Sequence, residues 1–196
     1  MTALWKSGTK KAYYGYVANL IIGLVGGIII SLSTLSAVAE TVATGEASYP
    51  IGALLVGLAG IAAFVYYFLG VNEMKKAAAS TALATGTNRL FIGAIIYIVA
   101  MALSLIPMMP AIVASLVELV GFIIIWTGYS EIKKNATDAN AQLGGANLST
   151  SALLSVIAAV VILIPVIGWI AALVLEIIAL VKAIKGWKLL AESELA

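Results

Sequence analysis

Six apolar runs separated by short polar or proline-containing stretches make up most of this chain. They lie at about residues 14–38, 50–71, 90–106, 110–129, 153–164 and 168–184. A helix needs about 20 apolar residues to cross about 30 Å of hydrocarbon. The first, second and fourth runs have that length, the third is near the lower limit, and the fifth is short. The pattern predicts an all-α integral membrane protein with six transmembrane helices.

The boundary between the fifth and sixth runs decides this count. A single helix from Ser151 to Lys185 would be about 52 Å long at 1.5 Å per residue, which exceeds the thickness of a bilayer. Pro165 and Gly168 supply a helix breaker and a flexible turn, and the stretch from Pro107 to Pro110 is the counterpart between the third and fourth runs. We therefore predict hairpins. A four-span alternative would make the last pair an interfacial or re-entrant element.

Composition strengthens the membrane assignment. The chain is 63% hydrophobic and only 10% charged, whereas soluble domains carry about 25% charged residues. Ala37, Val38 and Ala39 at the end of the first run resemble a signal-peptide cleavage site, but a run of about 25 residues is long for a signal peptide, and we favour a spanning helix. Membrane lipid is the expected partner, and a net charge of +2 is too small to indicate nucleic acid.

Basic residues set the expected orientation. In the predicted topology all of them fall on one side of the membrane, and they are Lys6, Lys10, Lys11, Lys75, Lys76, Arg89, Lys133, Lys134, Lys182, Lys185 and Lys188. Cytoplasmic loops are enriched in Lys and Arg. We therefore expect a multi-pass protein of the cytoplasmic (inner) membrane with N-in and C-in topology.

An internal repeat accompanies this topology. Gly70, Gly128 and Gly186 are separated by 58 positions, and the segment 68–76 resembles the segment 126–134. The spacing predicts three repeated hairpins, at about 13–78, 89–136 and 148–194, within a single membrane domain over 1–196. Because each hairpin has the same orientation, the repeats should surround an axis along the membrane normal. Hairpin 1 departs from the pattern, since Gly60 stands where the others have Glu and its loop from Glu40 to Tyr49 is long and polar.

Glu118 and Glu176 are the strongest candidates for chemistry. They occupy equivalent positions near mid-membrane, where an ionisable side chain costs about 2.5–3.5 kcal/mol and should face protein or a wet cavity. Desolvation favours the neutral acid, so a protonatable pair suits proton or ion binding, with Asn19 as a third candidate. Alternatively, each Glu donates one hydrogen bond between helices, worth about 0.6 kcal/mol.

Small residues mark expected packing faces. In the first run Gly15, Gly23, Gly27 and Ser31 recur with Asn19 at every fourth position, and Gly121 lies beside Glu118. Such stripes let helix backbones approach closely. The partner of the first stripe is either another helix of this chain or a second copy in a homo-oligomer.

Two further features complete the expected architecture. Aromatic residues near the basic boundary, among them Trp5, Tyr67, Tyr129 and Trp187, predict an interfacial belt. The linkers 72–87 and 130–150 are expected to be connectors, the second with a break at Gly144 and Gly145.

The chain contains neither Cys nor His. It therefore lacks the usual ligands of zinc, haem and iron–sulfur clusters, and it lacks thiol nucleophiles and imidazole bases. We predict no metal, no cofactor, no catalytic residue and no enzymatic activity.

The hairpin ends resemble those of the HdeD-type acid-resistance membrane proteins, which are built from repeated hairpins with short apolar turns. The resemblance rests on residues 70–74 and 128–132 and on the proline turns, and the long loop of hairpin 1 departs from it. It implies a stress-associated inner-membrane protein. The leading functional hypothesis is thus a non-enzymatic, oligomeric scaffold or stress-associated protein. The alternative is a small proton-linked transporter or channel that uses Glu118 and Glu176.

Overall fold

The protein folds into α-helices, as a computed structural model of the chain shows. The structure describes residues 2–45, 51–104, 111–161, 164 and 167–194. The helices are α1 (Thr2–Thr44), α2 (Ile51–Ala78), α3 (Ala84–Ser104), α4 (Ala111–Asn135), α5 (Ala139–Val161) and α6 (Ile167–Glu192). No strand occurs in the described part of the chain. The all-α prediction is confirmed.

The helices pack as three hairpins. The closest pairings are α1 with α2, α3 with α4 and α5 with α6, and contacts of α2 with α3, α4 with α5 and α1 with α6 complete a ring. The ring closes where the chain ends meet, because the indole Nε1 of Trp5 donates to Ser193 Oγ at 3.0 Å. The predicted separation of the fifth and sixth segments is confirmed. The breaking residues themselves, Pro165, Pro107 and Pro110, lie outside the described residues.

Each hairpin contains a pair of glycines that face each other at short distance. A Cβ added to Gly8 would lie 2.8 Å from the carbonyl oxygen of Gly70, and one added to Gly144 would lie 2.9 Å from that of Gly186. In the middle hairpin Gly128 approaches the carbonyl oxygen of Gly86 in the same way, also at 2.9 Å. Only glycine permits backbones this close, so these pairs determine how tightly each hairpin closes.

All eleven basic residues lie towards the end of the bundle where α1 begins and α2 ends, here called the basic end. Ion pairs cross two of the hairpins there: Lys11 pairs with Glu73, and Arg89 Nη1 lies 3.3 Å from Glu131 Oε1. The Lys11 ammonium holds the pKa of the Glu73 carboxyl below its usual range by hydrogen bonding to it. A third ion pair, Lys6 with Glu194 at 2.8 Å, joins the two chain ends.

The helices extend beyond the predicted segments. Glu40, expected in a loop, lies in α1, which continues to Thr44 and ends at Gly45 with a φ of 74°. The predicted break at Gly144 and Gly145 is wrong, because both residues lie inside α5. Their low helix propensity is overridden by packing, since Gly144 contacts α6 and Gly145 contacts α4. The predicted repeat starts at 13, 89 and 148 likewise fall within helices.

Two helical stretches of the described chain, Ala3–Thr44 and Leu54–Ala78, are long and apolar enough to cross a membrane, and Ala84–Ala100 is a shorter apolar stretch. Large apolar side chains are exposed on the outside of the bundle, for example Leu24 at 65%, Leu54 at 66% and Trp169 at 66%. Soluble monomers rarely expose contiguous apolar surfaces of this kind.

Candidate functional site

A central cavity of about 620 Å³ lies between the helices. This is within the range of 300–1,000 Å³ that is typical of small-molecule sites. All six helices contribute to its wall, and the described lining residues include no charged side chain. The lining comprises Tyr16, Asn19, Ile22, Gly23, Gly27, Ile30, Val56, Gly57, Gly60, Ile61, Phe64, Tyr67, Ala94, Tyr97, Phe122, Ile125, Tyr129, Leu148, Ser151, Ala152, Ser155, Ala183 and Trp187.

An aromatic layer forms the cavity wall nearest the basic end. Trp187 is fully buried, and the rings of Tyr67 and Tyr129 pack edge-on against it, with centroid distances of 5.7 and 5.9 Å. These rings come from α2, α4 and α6. Edge-to-face pairs at this distance add about 0.5–1.5 kcal/mol each beyond burial. The layer therefore bounds the cavity on the side where α2, α4 and α6 end.

This layer corrects the expectation of an interfacial belt. Tyr67, Tyr129 and Trp187 are buried, as is Trp5, whereas Tyr14 is 57% exposed. The helical spacing could have identified the buried ones. Trp187 lies three residues before Leu190, and Tyr129 lies three residues before Ile132, and these apolar partners are also fully buried. Residues three apart share a helix face, so aromatic and core residues belong to one inward face.

The small-residue stripe of α1 divides into two kinds of position. Gly15 lies against the backbone of Tyr67, and a Cβ added there would be 2.5 Å from its nitrogen. Gly23 and Gly27, by contrast, have nothing within 4 Å among the described residues, and both line the cavity. Close packing against another described helix of the same chain is therefore absent at these two glycines, and contact with a second copy stays a prediction. The other packing candidates differ again: Gly121 lies close to Gly93 in α3, and Ser31 is exposed and donates to Gly27 in its own helix.

The helical repeat explains this division. Four residues turn an ideal helix by about 400°, so a stripe at every fourth position drifts by about 40° per step. From Gly15 to Gly27 the drift reaches about 120°. The residues of α1 that do contact α2 include Gly8, Gly15 and Gly26. Gly26 is separated from Gly15 by 11 residues, close to a whole number of turns.

Both candidate carboxyls stand next to polar residues of the cavity wall. Ser155 Oγ donates to Glu176 Oε2 at 3.3 Å, and the phenol of Tyr97 interacts with the side chain of Glu118. Ser155 and Tyr97 line the cavity, whereas neither glutamate is among the described lining residues. Glu118 is half-buried and Glu176 is exposed, so Glu176 lacks the enclosed environment expected for it.

Asn19 differs from these two pairs. Its side chain lines the cavity, and no hydrogen bond to its amide is found among the described residues. Gly60, which stands where the other hairpins carry Glu118 and Glu176, lines the same cavity and has open space around it. The structure therefore brings Asn19 to the same cavity wall as Tyr97 and Ser155. It does not bring the two glutamates to a common carboxylate site.

The described residues contain no group of three or more His, Cys, Asp or Glu side chains able to hold a metal ion. Comparisons with protein families, with characterised proteins and with solved structures gave no match.

Proposed function

We propose that this chain is a six-span integral membrane protein of the cytoplasmic membrane, with both termini in the cytoplasm. The apolar exterior of the bundle and the placement of all basic residues at one end support this topology. The test is labelling of single Cys residues introduced at Glu46 and Lys133 in sealed vesicles. We expect the two to react with an impermeant maleimide from opposite sides. Labelling of both from one side would refute the topology.

The hairpins are proposed to be three parallel repeats. The glycine pairs support this, since Gly70, Gly128 and Gly186 are evenly spaced and each contacts a glycine of the preceding helix. The ion pairs support it too, because Glu73 and Glu131 are separated by the same 58 positions. Their partners Lys11 and Arg89 are 78 positions apart, which places an additional 20 residues in hairpin 1. In the third hairpin this ion pair is replaced by Asn147 and Leu189.

The proposed activity is non-enzymatic binding of an apolar molecule of the bilayer in the central cavity. The cavity itself is the observation that carries this proposal: its volume is about 620 Å³, its lining is mostly apolar and aromatic, and the aromatic layer bounds it on one side. Such sites suit apolar ligands, because every polar group left unpaired on binding costs free energy. Homo-oligomer formation and the stress-associated role implied by the HdeD resemblance stay predictions.

A cavity-filling substitution tests this function. Gly57 on α2 lines the cavity, and a Cβ added there would have no atom within 4 Å beyond its own stretch of helix. The larger side chain of Gly57→Leu should therefore occupy the cavity without displacing a helix. The probe is a long-chain alkane that carries a diazirine, added to purified protein in lipid nanodiscs. Irradiation followed by mass spectrometry gives the labelling of Phe64, which lines the cavity, relative to exterior Leu54.

We expect Phe64 to be labelled in the wild type and to lose at least about 80% of its label in Gly57→Leu, while the label on Leu54 stays constant. The matched control is Leu58→Phe, which enlarges an exposed neighbour on the same helix and should leave cavity labelling unchanged. If the wild type is labelled only at exterior positions, or if Gly57→Leu is labelled like the wild type, the binding proposal fails.

Proton-linked transport is a second candidate. The favouring observation is that the two equivalent glutamates each interact with a polar residue of the cavity wall, Ser155 for Glu176 and Tyr97 for Glu118. A chain of such groups could relay protons between a carboxyl and a hydrated cavity. The test is a pH-flux assay in liposomes with the double variant Glu118→Gln/Glu176→Gln. Flux equal to that of the wild type would exclude this candidate.

A further inference from the structure

The third hairpin carries three lysines that the other two hairpins lack. They are Lys182, Lys185 and Lys188 on α6, here called the lysine face. The equivalent positions of the repeat hold only neutral residues, which are Ile124, Thr127 and Ser130 on α4 and Tyr66, Leu69 and Asn72 on α2. Residues three apart are neighbours on a helix surface, so hairpin 3 has a run of adjacent cations with no counterpart at these positions in hairpins 1 and 2.

The lysine face begins deeper in the bundle than the basic residues at the ends of α2 and α4. Lys182 lies four residues before the evenly spaced glycine of its helix, whereas Lys75 and Lys133 lie five residues after theirs. At 1.5 Å per residue, this difference of nine positions is about 14 Å along the helix axis. In the proposed topology Lys182 is therefore the cation that lies closest to the hydrocarbon.

The lysine face also differs from the other hairpins in its counter-ions. The innermost basic residues of hairpins 1 and 2 are ion-paired, Lys11 with Glu73 and Arg89 with Glu131. In hairpin 3 Leu189 stands at the position of these two glutamates. None of the ion pairs found among the described residues includes a member of the lysine face. Because an unpaired charge is costly near the hydrocarbon, a counter-ion from outside the chain is favoured there.

The carboxylates nearest in sequence leave Lys182 and Lys185 unpaired. Glu176 lies six residues before Lys182, on a different side of the helix, and Ser155 Oγ donates to it at 3.3 Å. Glu192 is exposed and lies one turn beyond Lys188, towards the end of the chain. It is within helical reach of Lys188 alone.

An exposed apolar strip leads up to the lysine face. Val174, Ile178 and Val181 are all exposed, and their spacing of three or four residues places them on one side of α6. Lys182 follows Ile178 by four residues and is half-buried, while the other two lysines are exposed. The stem of a lysine lies along apolar surface while its ammonium group reaches the polar boundary. The outside of α6 thus combines an apolar strip with ammonium groups at its end.

We propose that the lysine face binds the phosphate group of an anionic phospholipid, with an acyl chain of the same lipid along the apolar strip. The inference rests on the proposed topology, which places the basic end at the cytoplasmic leaflet, where anionic lipids attract basic segments next to the membrane. A zwitterionic lipid fits less well, because the ammonium of its own head group neutralises its phosphate. Free phosphate would contact the lysines alone and leave the apolar strip uncovered.

The experiment measures which lipid lies beside α6. Because the chain contains no Cys, Val181→Cys supplies a single site for a bimane fluorophore. The protein is reconstituted in vesicles of phosphatidylglycerol and phosphatidylcholine in equal amounts, and one or the other lipid carries a nitroxide on its acyl chain. Nitroxides quench bimane at short range, so the two quenching levels give the relative occupancy of the two lipids. Ile123→Cys on α4 is the matched control site, since it is the equivalent exposed position of hairpin 2.

With the natural lysines present, we expect phosphatidylglycerol to be favoured over phosphatidylcholine by at least about fivefold at Val181, the contribution of about one lysine near an anionic surface. At Ile123, which has no lysine at the equivalent positions, the preference should stay below about twofold.

Three double variants assign the preference at Val181. Lys182→Gln/Lys185→Gln should reduce it to the level found at Ile123, whereas Lys182→Arg/Lys185→Arg keeps both charges and should retain it. The charge control is the change of the two exposed lysines at the end of α4 to Gln. It removes the same net charge from the same end of the bundle and should leave the preference at Val181 unchanged.

The outcomes separate this inference from the topology on which it rests. If neither lipid quenches the fluorophore at Val181 or Ile123, these helices do not lie in the bilayer and the proposed topology fails. If both lipids quench equally at Val181, or if the preference survives neutralisation of the lysine face, the topology stands and the lipid site is refuted.

Two further results would overturn the lipid site. An equal preference at Val181 and Ile123, or loss of the preference in the charge control, would show that net charge alone attracts the lipid. Loss of the preference on addition of inorganic phosphate at constant ionic strength would identify free phosphate as the ligand of the lysine face.

Discussion

Two glycines of α2 should respond in opposite ways to the same substitution. Gly70 contacts α1 so closely that a Cβ there would lie 2.6 Å from the carbonyl oxygen of Gly8, and its nearest neighbour is the backbone nitrogen of Ala12. Gly57, on the same helix, has nothing within 4 Å. Changing each to Ala adds one methyl group in the interior of the same helix. The difference between the two variants therefore isolates the packing of α1 against α2.

The magnitude follows from the contacts. Because the atoms that obstruct a Cβ at Gly70 belong to the backbone, no flexible side chain can move aside, and α1 and α2 must separate. Overpacking of this kind costs about 1–3 kcal/mol, and the better helix propensity of Ala returns at most about 1 kcal/mol. We expect Gly70→Ala to be destabilised by about 1–2 kcal/mol and Gly57→Ala to be unchanged or more stable by up to about 1 kcal/mol. The gap of about 2 kcal/mol is roughly a 30-fold change in the ratio of folded to unfolded protein.

The assay is equilibrium unfolding of the purified protein in mixed micelles with increasing SDS, followed by tryptophan fluorescence. Gly186→Ala extends the test to the third hairpin, where a Cβ would lie 2.9 Å from the carbonyl oxygen of Gly144, and it should behave like Gly70→Ala. Equal stability of Gly70→Ala and Gly57→Ala would refute the reasoning, because it would mean that the glycine pair does not set the distance between the helices.

Three further perturbations test individual contacts by the same unfolding assay. Because Lys11 lowers the pKa of Glu73, the ionised carboxyl should stabilise the fold by up to about 1 kcal/mol. This stabilisation should be complete above the ordinary pKa of Glu and should disappear as the pH falls through the lowered pKa. It should be missing in Glu73→Gln, and a variant with the same pH dependence of stability as the wild type would contradict the prediction. Trp5→Phe removes the hydrogen bond to Ser193 and should cost about 1 kcal/mol, whereas an unchanged midpoint would show that this link between the chain ends is not stabilising. Asp138→Ala removes the N-cap of α5 and should cost about 0.5–2 kcal/mol, with Asp138→Asn close to the wild type; equal losses in both variants would argue against capping.

Part of the candidate site was accessible from the sequence. Asn19, Glu118 and Glu176 stand out because polar groups are rare in apolar segments, and the structure places Asn19 on the cavity wall and both glutamates beside wall residues. The cavity itself could not be predicted. Gly23 and Gly27 have the same spacing whether they contact a helix or border open space, so the pattern alone favoured contact.

The aromatic layer is a second case in which the sequence pattern did not predict where side chains pack. Trp187 and Tyr129 lie near basic residues in the sequence, which is typical of an interfacial belt, yet both are buried and contact one another. Proximity along the chain to a charged boundary specifies depth in the membrane. It does not specify whether a side chain points outward to lipid or inward to the bundle.

What the sequence determined by itself is the set of helices, the hairpin breaks and the collection of basic residues at one end, because these depend on the apolar length of each segment, on local breakers and on charge order. What only the tertiary structure decided is how far apart the helices stand at each level. The two helices of each hairpin meet at a glycine pair, which is Gly8 with Gly70, Gly86 with Gly128 or Gly144 with Gly186. They leave space at Gly57 and Gly60. Helix separation depends on the rotation and crossing of whole helices, which fix at once where small residues permit contact and where they border a cavity.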